Sequence, residues 1–303
     1  MPCRTILAAT IAKDYIAEVQ QKVARELQAP RLVGLLANDD DGAVMYAQWT
    51  QRTCQECGLE FELRKVSKES LEDAIGLANS QEGVNGIIVY FPVFGNDQDK
   101  YLQQLVDPSK DVEGLSHIYL QNLYHNVRFL DPDHTKKSIL PCTPLAVIKI
   151  LEYVQVYNTF LEYTNRLYGK VISVINRSEI AGRPLAALLA NDGAIVYSID
   201  VNGVQKFTRG SGNRLRRHQV ESTGLSMDDV LPISDVVISG VPATFKVDPS
   251  LVKFGSVVIN FSSQHNFDAA IKERASIYVP ATGKVTIAIL LRNLLRLVQN
   301  KKP

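Results

Sequence analysis

Several features that define large classes of proteins are scarce in this 303-residue sequence. Charge of one sign is not in excess, because 33 basic side chains balance 32 acidic ones, and this argues against nucleic acid as the main partner. Apolar runs stay short of the roughly 20 residues that cross a bilayer. The N-terminal stretch MPCRTILAATIAKDY makes a poor signal peptide. We therefore expect a cytoplasmic globular protein of about two domains, with neither membrane nor nucleic acid as a partner.

Cysteine is also scarce, and the four residues present are too few for a disulfide framework at this length. Cys54 and Cys57 form a C-x-x-C pair, but no second ligand pair accompanies them and the surrounding sequence predicts one helix. We therefore expect reduced thiols and no bound metal. Residues 206–218 are rich in basic side chains, which indicates a solvated loop in a chain of balanced charge.

The first half of the sequence alternates helical spacing with buried-strand runs, which is typical of a parallel sheet covered on both faces. Residues 107–143 carry little regular pattern, and a connection of that length is usually functional or flexible. A helix from the Pro-Cys-Thr-Pro stretch to residue 154 is expected to lead into a second domain. The last helix, 285–298, is apolar on a broad face, so we expect it to return to the first domain. The predicted strands are 31–37, 61–66, 85–93, 171–175, 194–199, 235–239, 257–260 and 277–279.

Residues 171–200 read VISVINRSEIAGRPLAALLANDGAIVYSID, which predicts a strand, a short loop, a helix and a second strand ending at Asp200. Backbone N–H groups at such a helix start can hold a pyrophosphate. An acidic strand tip can accept hydrogen bonds from both ribose hydroxyls and would repel a 2′-phosphate, so the pattern favours NAD over NADP. The loop lacks G-x-G-x-x-G and only Gly182 matches, so a plain buried strand-helix-strand unit stays open.

Ordered motifs extend along nearly the whole chain. With Tyr46 on the second helix, they resemble the methylenetetrahydrofolate dehydrogenase/cyclohydrolase family, and most of all its monofunctional NAD-dependent branch known from fungi. The resemblance implies an α/β fold with two domains. These are an N-terminal three-layer α/β substrate domain (1–150, completed by 285–303) and a C-terminal Rossmann-type parallel-sheet domain (151–284), with an interdomain cleft as the default site. The motifs are GIIVYFPV, PSKDVEGL, PCTP, NRSEIAGRP, SDVVISGVP, GSVVIN and VPATGKVT.

On the folate side, the resemblance implies a tyrosine that packs on the substrate, a wall at a strand end, and a carboxylate that anchors the pterin's amidine-like edge by paired hydrogen bonds. A second carboxylate is expected to fix the loop. Cys142 is retained as a candidate participant, although a small buried side chain is the plainer interpretation. The catalytic candidates are Tyr46, Glu113 and Cys142, and the substrate-binding candidates are Thr50, Tyr90, Phe91, Pro92 and Asp111.

Three departures from the family pattern are informative. Thr50 takes the position of the catalytic lysine in Tyr-x-x-x-Lys, Tyr90 replaces a glutamine, and Glu113 replaces an aspartate. Oxidation of the methylene bridge removes a hydride and releases no proton, so it needs alignment rather than a general base. Ring-opening hydrolysis must activate water, which suits a lysine of lowered pKa. We therefore expect oxidation of 5,10-methylenetetrahydrofolate to the methenyl form by NAD, without cyclohydrolase activity.

On the cofactor side, the resemblance places Arg177 and Ser178 at the dinucleotide. We expect Arg177 to contact the pyrophosphate or ribose, or to pair with a nearby acid. The turn at 240–242 is expected over a ribose, and 282–283 near the nicotinamide. The remaining cofactor-binding candidates are Gly182, Asp200, Val201, Gly240, Val241, Pro242, Thr282 and Gly283.

Three alternatives stay open. The protein could be bifunctional, with another group replacing the lysine. It could be an unrelated hydroxy-acid or amino-acid dehydrogenase, although its histidines (117, 125, 134, 218 and 265) lie outside the recognised motifs. It could also be a catalytically silent NAD-binding or folate-binding module. The resemblance further implies a homodimer and a role in one-carbon metabolism and purine biosynthesis.

Overall fold

The computed structural model describes residues 2–209, 218–242 and 245–302, which form an α/β fold. The strands are β1 (Arg4–Thr5), β2 (Arg31–Leu36), β3 (Glu60–Lys65), β4 (Gly86–Val89), β5 (Val171–Ile175), β6 (Ile195–Asp200), β7 (Gly203–Thr208), β8 (Gln219–Ser222), β9 (Val236–Ser239), β10 (Val257–Asn260) and β11 (Ile277–Val279). The α-helices are α1 (Ala8–Val23), α2 (Asp41–Glu56), α3 (Leu71–Ser80), α4 (Asp97–Leu105), α5 (His117–Tyr124), α6 (Cys142–Tyr153), α7 (Gly182–Asn191), α8 (Met227–Val230), α9 (Ile271–Arg274) and α10 (Gly283–Asn300). Short 3-10 helices lie at Tyr163–Asn165, Leu231–Ile233 and Pro249–Leu251.

The chain divides into two compact units. The small-sheet unit comprises Ala12–Asn122, Arg128–Cys142 and Thr286–Pro303. The large-sheet unit comprises Met1–Ile11, Leu123–Val127 and Thr143–Val285.

These bounds differ from the domain limits expected from the sequence, 1–150 and 151–284. Residues 1–11 group with the large sheet because β1 pairs in parallel with β11, and the Arg4 N–H donates to the Ser276 carbonyl at 2.8 Å. The later limit falls between Cys142 and Thr143, at the first turn of α6, rather than at 150.

The small sheet, as far as the described residues show, has the strand order β3-β2-β4, and all pairs are parallel. β2 is almost entirely buried, as expected of a strand covered on both faces. Leu35 and Ile87 pack with residues of α3 and α4, and burying such a side chain stabilises a fold by about 2 kcal/mol. Because parallel strands share a direction, the residues that follow β2 and β4 emerge at one edge of the sheet.

Eight strands within the described ranges form the large sheet, in the order β1-β11-β10-β9-β5-β6-β7-β8. The first six strands in this order, β1, β11, β10, β9, β5 and β6, pair in parallel. The parallel pair β5 and β6, joined by α7, confirms the strand-helix-strand unit predicted for residues 171–200. β7 and β8 are antiparallel additions, so the loop expected at 206–218 is wrong for 206–208. An Asn-Gly pair turns the chain between β6 and β7, with Gly203 at a φ of +98°. Residues 210–217 of that basic stretch lie outside the described residues.

No helix in the described part of the chain is both long enough and apolar enough to traverse a lipid bilayer.

Candidate active site

Helix α2 carries two of the candidate residues on one face. The Asp40 carboxylate caps the helix by accepting from the Ala43 N–H at 3.0 Å, which satisfies a donor that the first turn leaves unpaired. Tyr46 and Thr50 follow, one turn apart. Thr50 is fully buried, and its hydroxyl donates to the Tyr46 carbonyl at 2.9 Å. The side chain at the lysine position is therefore engaged within the helix.

Tyr90 lies against Tyr46, with ring centroids 6.0 Å apart and planes 76° apart, an edge-to-face contact. Burial raises the pKa of both phenols, so both stay protonated at neutral pH. Thr50 lies close enough to Tyr90 to oppose the rise in the pKa of its phenol. The Thr50 hydroxyl, however, donates to the Tyr46 carbonyl within the helix. Among the described residues, the buried Tyr90 hydroxyl therefore has no hydrogen-bond partner of normal geometry. Such a hydroxyl gains free energy when a ligand supplies a partner.

The wall after β4 is held by side chains that the sequence analysis did not single out. The Asn38 amide donates to the carbonyls of Tyr90 and Pro92, both at 2.9 Å, and the Phe91–Pro92 peptide bond is cis. The buried Asp99 carboxylate accepts from the three N–H groups that follow Pro92, at 2.9 to 3.3 Å. Asn38 is the first polar residue after a buried parallel strand, which is the pattern that could have identified it.

A pocket of about 690 Å³ opens at this edge of the small sheet. Its lining includes Asn38 and Pro92, together with residues that follow β3. The carboxyl ends of the parallel strands are therefore accessible to a ligand beside the Tyr90 wall.

The two acidic candidates have different environments. Asp111 accepts from the Gly114 N–H at 2.8 Å and the Ser116 N–H at 2.7 Å, so it fixes its own loop as expected. Glu113 is half-buried, and its carboxylate accepts one N–H bond, from Val89 at 3.3 Å. Burial and the neighbouring Asp111 raise the pKa of Glu113 to about 8. Glu113 therefore carries a proton over much of the neutral range.

Cys142 adjoins this loop, since its N–H donates to the Glu113 carbonyl at 3.0 Å. It is buried, and together with Glu113 it is among the groups whose charge would raise the pKa of Tyr46. Asn293 on α10 donates to the carbonyls of Val112 (2.9 Å) and Leu140 (3.0 Å), so the last helix braces both segments. The small-sheet unit thus brings Tyr46, Tyr90, Glu113 and Cys142 together.

The loop between β5 and α7 is closely packed in the large-sheet unit. A Cβ atom on Gly182 would lie 2.0 Å from the Asn176 carbonyl oxygen, so only glycine fits there. Ser178 occupies donors at the helix start, because its hydroxyl accepts from the Gly182 N–H at 3.4 Å and its carbonyl from the Arg183 N–H at 3.0 Å. Pro184 has no N–H. The helix start therefore offers fewer free donors for a pyrophosphate than the sequence indicated.

Asp200 ends β6 at the expected strand tip, and its carboxylate accepts from the Val201 N–H at 2.8 Å. Val201 is 95% exposed at the turn. Arg177 donates through Nη2 to the carbonyls of Ser198 (2.6 Å) and Gly203 (2.5 Å). Arg177 is therefore bonded to the backbone of the β6–β7 hairpin, and its contact with a pyrophosphate or ribose stays a prediction.

The turn after β9 is held by Asn266, which the sequence analysis missed. Its side-chain oxygen accepts from the Val241 N–H at 2.9 Å, and its amide donates to the Val241 carbonyl at 2.9 Å. A Cβ atom on Gly240 would lie 2.0 Å from the Phe261 ring. Pro242 follows and is exposed. Asn266 thus fixes this turn at the end of a central strand, beside the end of β5, where dinucleotides bind in such sheets.

Thr282 and Gly283 lie at the start of α10, two residues earlier than the predicted helix. Thr282 is buried, and its carbonyl accepts from the Val285 N–H at 2.9 Å. Glycine at the first helical position keeps the backbone there uncovered.

The described residues contain no group of three His, Cys, Asp or Glu side chains that could hold a metal ion. Burial raises the pKa of Cys54 to about 12 and that of Cys57 to about 11, so neither is a thiolate at neutral pH.

Comparisons with known proteins identify the family to which the chain is similar. Residues 6–113 match the family model described as tetrahydrofolate dehydrogenase/cyclohydrolase, catalytic domain. A methylenetetrahydrofolate dehydrogenase (NAD+) from Schizosaccharomyces pombe is 58% identical over 305 residues, covering 99% of this chain and 95% of that protein. One from Dictyostelium discoideum is 48% identical and covers 96% of this chain and 93% of its own. The solved structure of the NAD-dependent 5,10-methylenetetrahydrofolate dehydrogenase from Saccharomyces cerevisiae has a TM-score of 0.96 and 56% identity, over 99% of this chain and 98% of that one.

Proposed function

This chain belongs to the tetrahydrofolate dehydrogenase/cyclohydrolase family, and from that premise we propose that it oxidises 5,10-methylenetetrahydrofolate to 5,10-methenyltetrahydrofolate, with NAD as hydride acceptor and without cyclohydrolase activity. The observation that carries the proposal is the pair of positions 46 and 50 on α2. Tyr46 remains among the aromatic and acidic side chains of the site, whereas Thr50 replaces the lysine and is bonded within the helix.

The folate-binding half needs to orient the substrate and accommodate growing positive charge. Tyr46 and Tyr90 provide neutral aromatic surfaces with hydroxyls that stay protonated. Glu113 faces a pterin whose amidine-like edge donates hydrogen bonds, so the carboxylate is the form that pairs with it. Binding would then lower the pKa of Glu113, and the resulting negative charge stabilises the cation that forms when hydride leaves.

Hydrolysis of the methenyl product places a different demand on the site. A general base within hydrogen-bond reach must take a proton from water. The Thr50 hydroxyl has a pKa far too high for that work and already donates to the Tyr46 carbonyl. The Tyr46 and Tyr90 phenols stay protonated at neutral pH and cannot serve either.

The cofactor-binding half would hold a dinucleotide at the ends of the central strands β5 and β9, where a Cβ atom on Gly182 would meet the Asn176 backbone and one on Gly240 would meet the Phe261 ring. NAD, when bound, supplies the nicotinamide ring that accepts the hydride. Asp200 would accept hydrogen bonds from the adenosine ribose hydroxyls, and its charge disfavours a 2′-phosphate. The residues from Gly240 to Pro242 would lie against the cofactor, with the Val241 N–H and carbonyl held by Asn266, and Thr282 and Gly283 complete this half.

The experiment is a pair of assays on the purified protein. With methylenetetrahydrofolate, we expect NAD to be reduced far more efficiently than NADP, as read from the nicotinamide absorbance. With methenyltetrahydrofolate, we expect its loss to match the uncatalysed rate. Failure to reduce NAD would overturn the dehydrogenase, and enzyme-dependent loss of the methenyl compound would overturn the monofunctional assignment.

We further propose that the protein is a cytoplasmic homodimer that supplies one-carbon units for purine biosynthesis. Support comes from the family resemblance, from the buried cysteines Cys54 and Cys142, which form no disulfide bond, and from the exposed strand β8 at the end of the large sheet. Light scattering of the purified protein tests the dimer, and a monomer at micromolar concentration would contradict it.

Cell fractionation tests the compartment, and recovery in an organelle would contradict the cytoplasmic assignment. Deletion of the coding sequence should increase the cell's purine requirement, and unchanged growth without purines would contradict that role.

A further inference from the structure

The arginine of the cofactor-binding motif has an unexpected set of hydrogen bonds. We propose that Arg177 is a positioning residue: it clamps the β6–β7 hairpin and thereby holds Asp200 in the geometry that binds the adenosine ribose hydroxyls. The inference rests on the proposed use of NAD. It adds an account of how Asp200, the acidic tip of β6, is kept in place.

The clamp joins both strands of the hairpin. Arg177 Nη2 donates to the Ser198 carbonyl at 2.6 Å on β6 and to the Gly203 carbonyl at 2.5 Å on β7, and Nε lies 3.3 Å from the Ser198 hydroxyl. Gly203 is the residue paired with Asp200 in the antiparallel register. The guanidinium is therefore bonded two residues before Asp200 on its own strand and directly opposite it on the next.

The bonds leave the guanidinium little freedom. Both hydrogens of Nη2 are used, and the side chain is half-buried. Hydrogen bonds from a charged donor to carbonyls are stronger than neutral ones, so moving Arg177 toward a phosphate would forfeit both. Burial lowers the pKa of Arg177 while the charge of Asp200 raises it, so the acidic tip also favours the charged clamp.

The arrangement suits a protein that discriminates between NAD and NADP. An arginine beside Asp200 would offset the repulsion of a 2′-phosphate if its donors were free to turn toward it. Here Nη2 is committed to the backbone, so Arg177 is held on the hairpin while Asp200 carries the charge that disfavours a 2′-phosphate. The added strand β7 supplies the Gly203 carbonyl that completes the clamp.

Kinetics of Arg177→Gln, Arg177→Lys and a matched control test the proposal. Arg209 is the control, because it lies in the same unit and likewise donates to a backbone carbonyl, that of Thr164, at 3.0 Å. We expect Arg177→Gln to raise the KM for NAD about tenfold with kcat at saturating NAD within about twofold, since a misplaced ribose contact weakens binding and leaves the hydride step unchanged. Arg177→Lys should give an intermediate KM, and Arg209→Gln should leave it unchanged.

A double-mutant cycle with Asp200→Asn separates positioning from direct contact. If Arg177 acts through Asp200, Arg177→Gln should add little to the KM of the Asp200→Asn variant. An equal increase in both backgrounds would overturn the proposal, as would an unchanged KM in Arg177→Gln. If Arg177→Gln fails to fold, the same comparison is made with Arg177→Lys.

Binding of NADH, followed by nicotinamide fluorescence, provides a readout that needs no folate. We expect its Kd to follow the same order among the variants. Wild-type protein that binds NADH but does not oxidise methylenetetrahydrofolate would refute the proposed function and leave the clamp standing. Normal oxidation with an unaltered NADH Kd in the Arg177 variants would refute the clamp alone.

Discussion

Glu113→Gln should change how the stability of the protein depends on pH. Burial and the charge of Asp111 raise the pKa of Glu113 from a usual value of 4.5 to about 8. Asp111 keeps two backbone N–H bonds that favour its charged form, so Glu113 is the member of the pair that takes the proton. The folded protein therefore binds this proton more tightly than the unfolded chain does.

The direction and size of the effect follow from that difference. The contribution of Glu113 to the free energy of unfolding is fully present below its unfolded pKa, near 4.5, and is lost as the pH rises through about 8. One pKa unit corresponds to about 1.4 kcal/mol, so the whole shift sets an upper limit of about 4 to 5 kcal/mol. We expect roughly half of that, about 2 kcal/mol, because Glu113 keeps some contact with water.

Urea unfolding of wild type and Glu113→Gln between about pH 5.5 and 9 measures the effect. The variant is expected to gain stability relative to wild type as the pH rises, because glutamine cannot ionise. Glu62→Gln is the matched control: a hydrogen bond from Arg64 is the main factor that lowers the pKa of Glu62, to about 2, so it is ionised in both states throughout this range. A wild-type minus Glu113→Gln difference that is constant with pH would refute the reasoning.

Three further predictions concern the site. Asp200→Ser should reduce the preference for NAD over NADP, measured as the ratio of kcat/KM values, by roughly tenfold or more, since a like charge near the phosphate is removed; a wild type that already uses NADP equally well would contradict this. Thr50→Val should keep dehydrogenase kcat within about threefold, because the hydroxyl only bonds the Tyr46 carbonyl; a loss of a hundredfold or more would give Thr50 a chemical role. Gly182→Ala should destabilise the protein by about 2 kcal/mol or more in urea, since the new Cβ would lie 2.0 Å from the Asn176 carbonyl, and normal stability would mean that the loop can shift.

Much of the fold could be predicted from local patterns. Apolar runs bounded by polar loops predicted the central strands, and Asp200 lies at the strand tip where the pattern placed it. The edge of the large sheet was missed because the polar residues of β7 and β8 and the basic side chains between them resemble a solvated loop, and the Asn-Gly turn before β7 was not recognised. The pairing of β1 was missed because a two-residue strand has no periodicity.

The site residues that belong to a sequence motif could be predicted. The side chains that hydrogen-bond to backbone far away in the sequence could not. Asn38, Asn266 and Asn293 each use one amide to fix segments far away in sequence; Asn293 and its partner Val112 are 181 positions apart. The local sequence marks Asn38 only by its position after a buried strand, and it does not specify the distant partners of any of the three. Glu113 shows a related limit, because its raised pKa depends on burial that only the folded chain creates.

The path of the chain between the two units has a consequence for anyone who wishes to study them separately. The polypeptide passes from one unit to the other after Ile11, Asn122, Val127, Cys142 and Val285. Each unit consists of three separate stretches of the chain, so neither can be excised or expressed as one contiguous fragment.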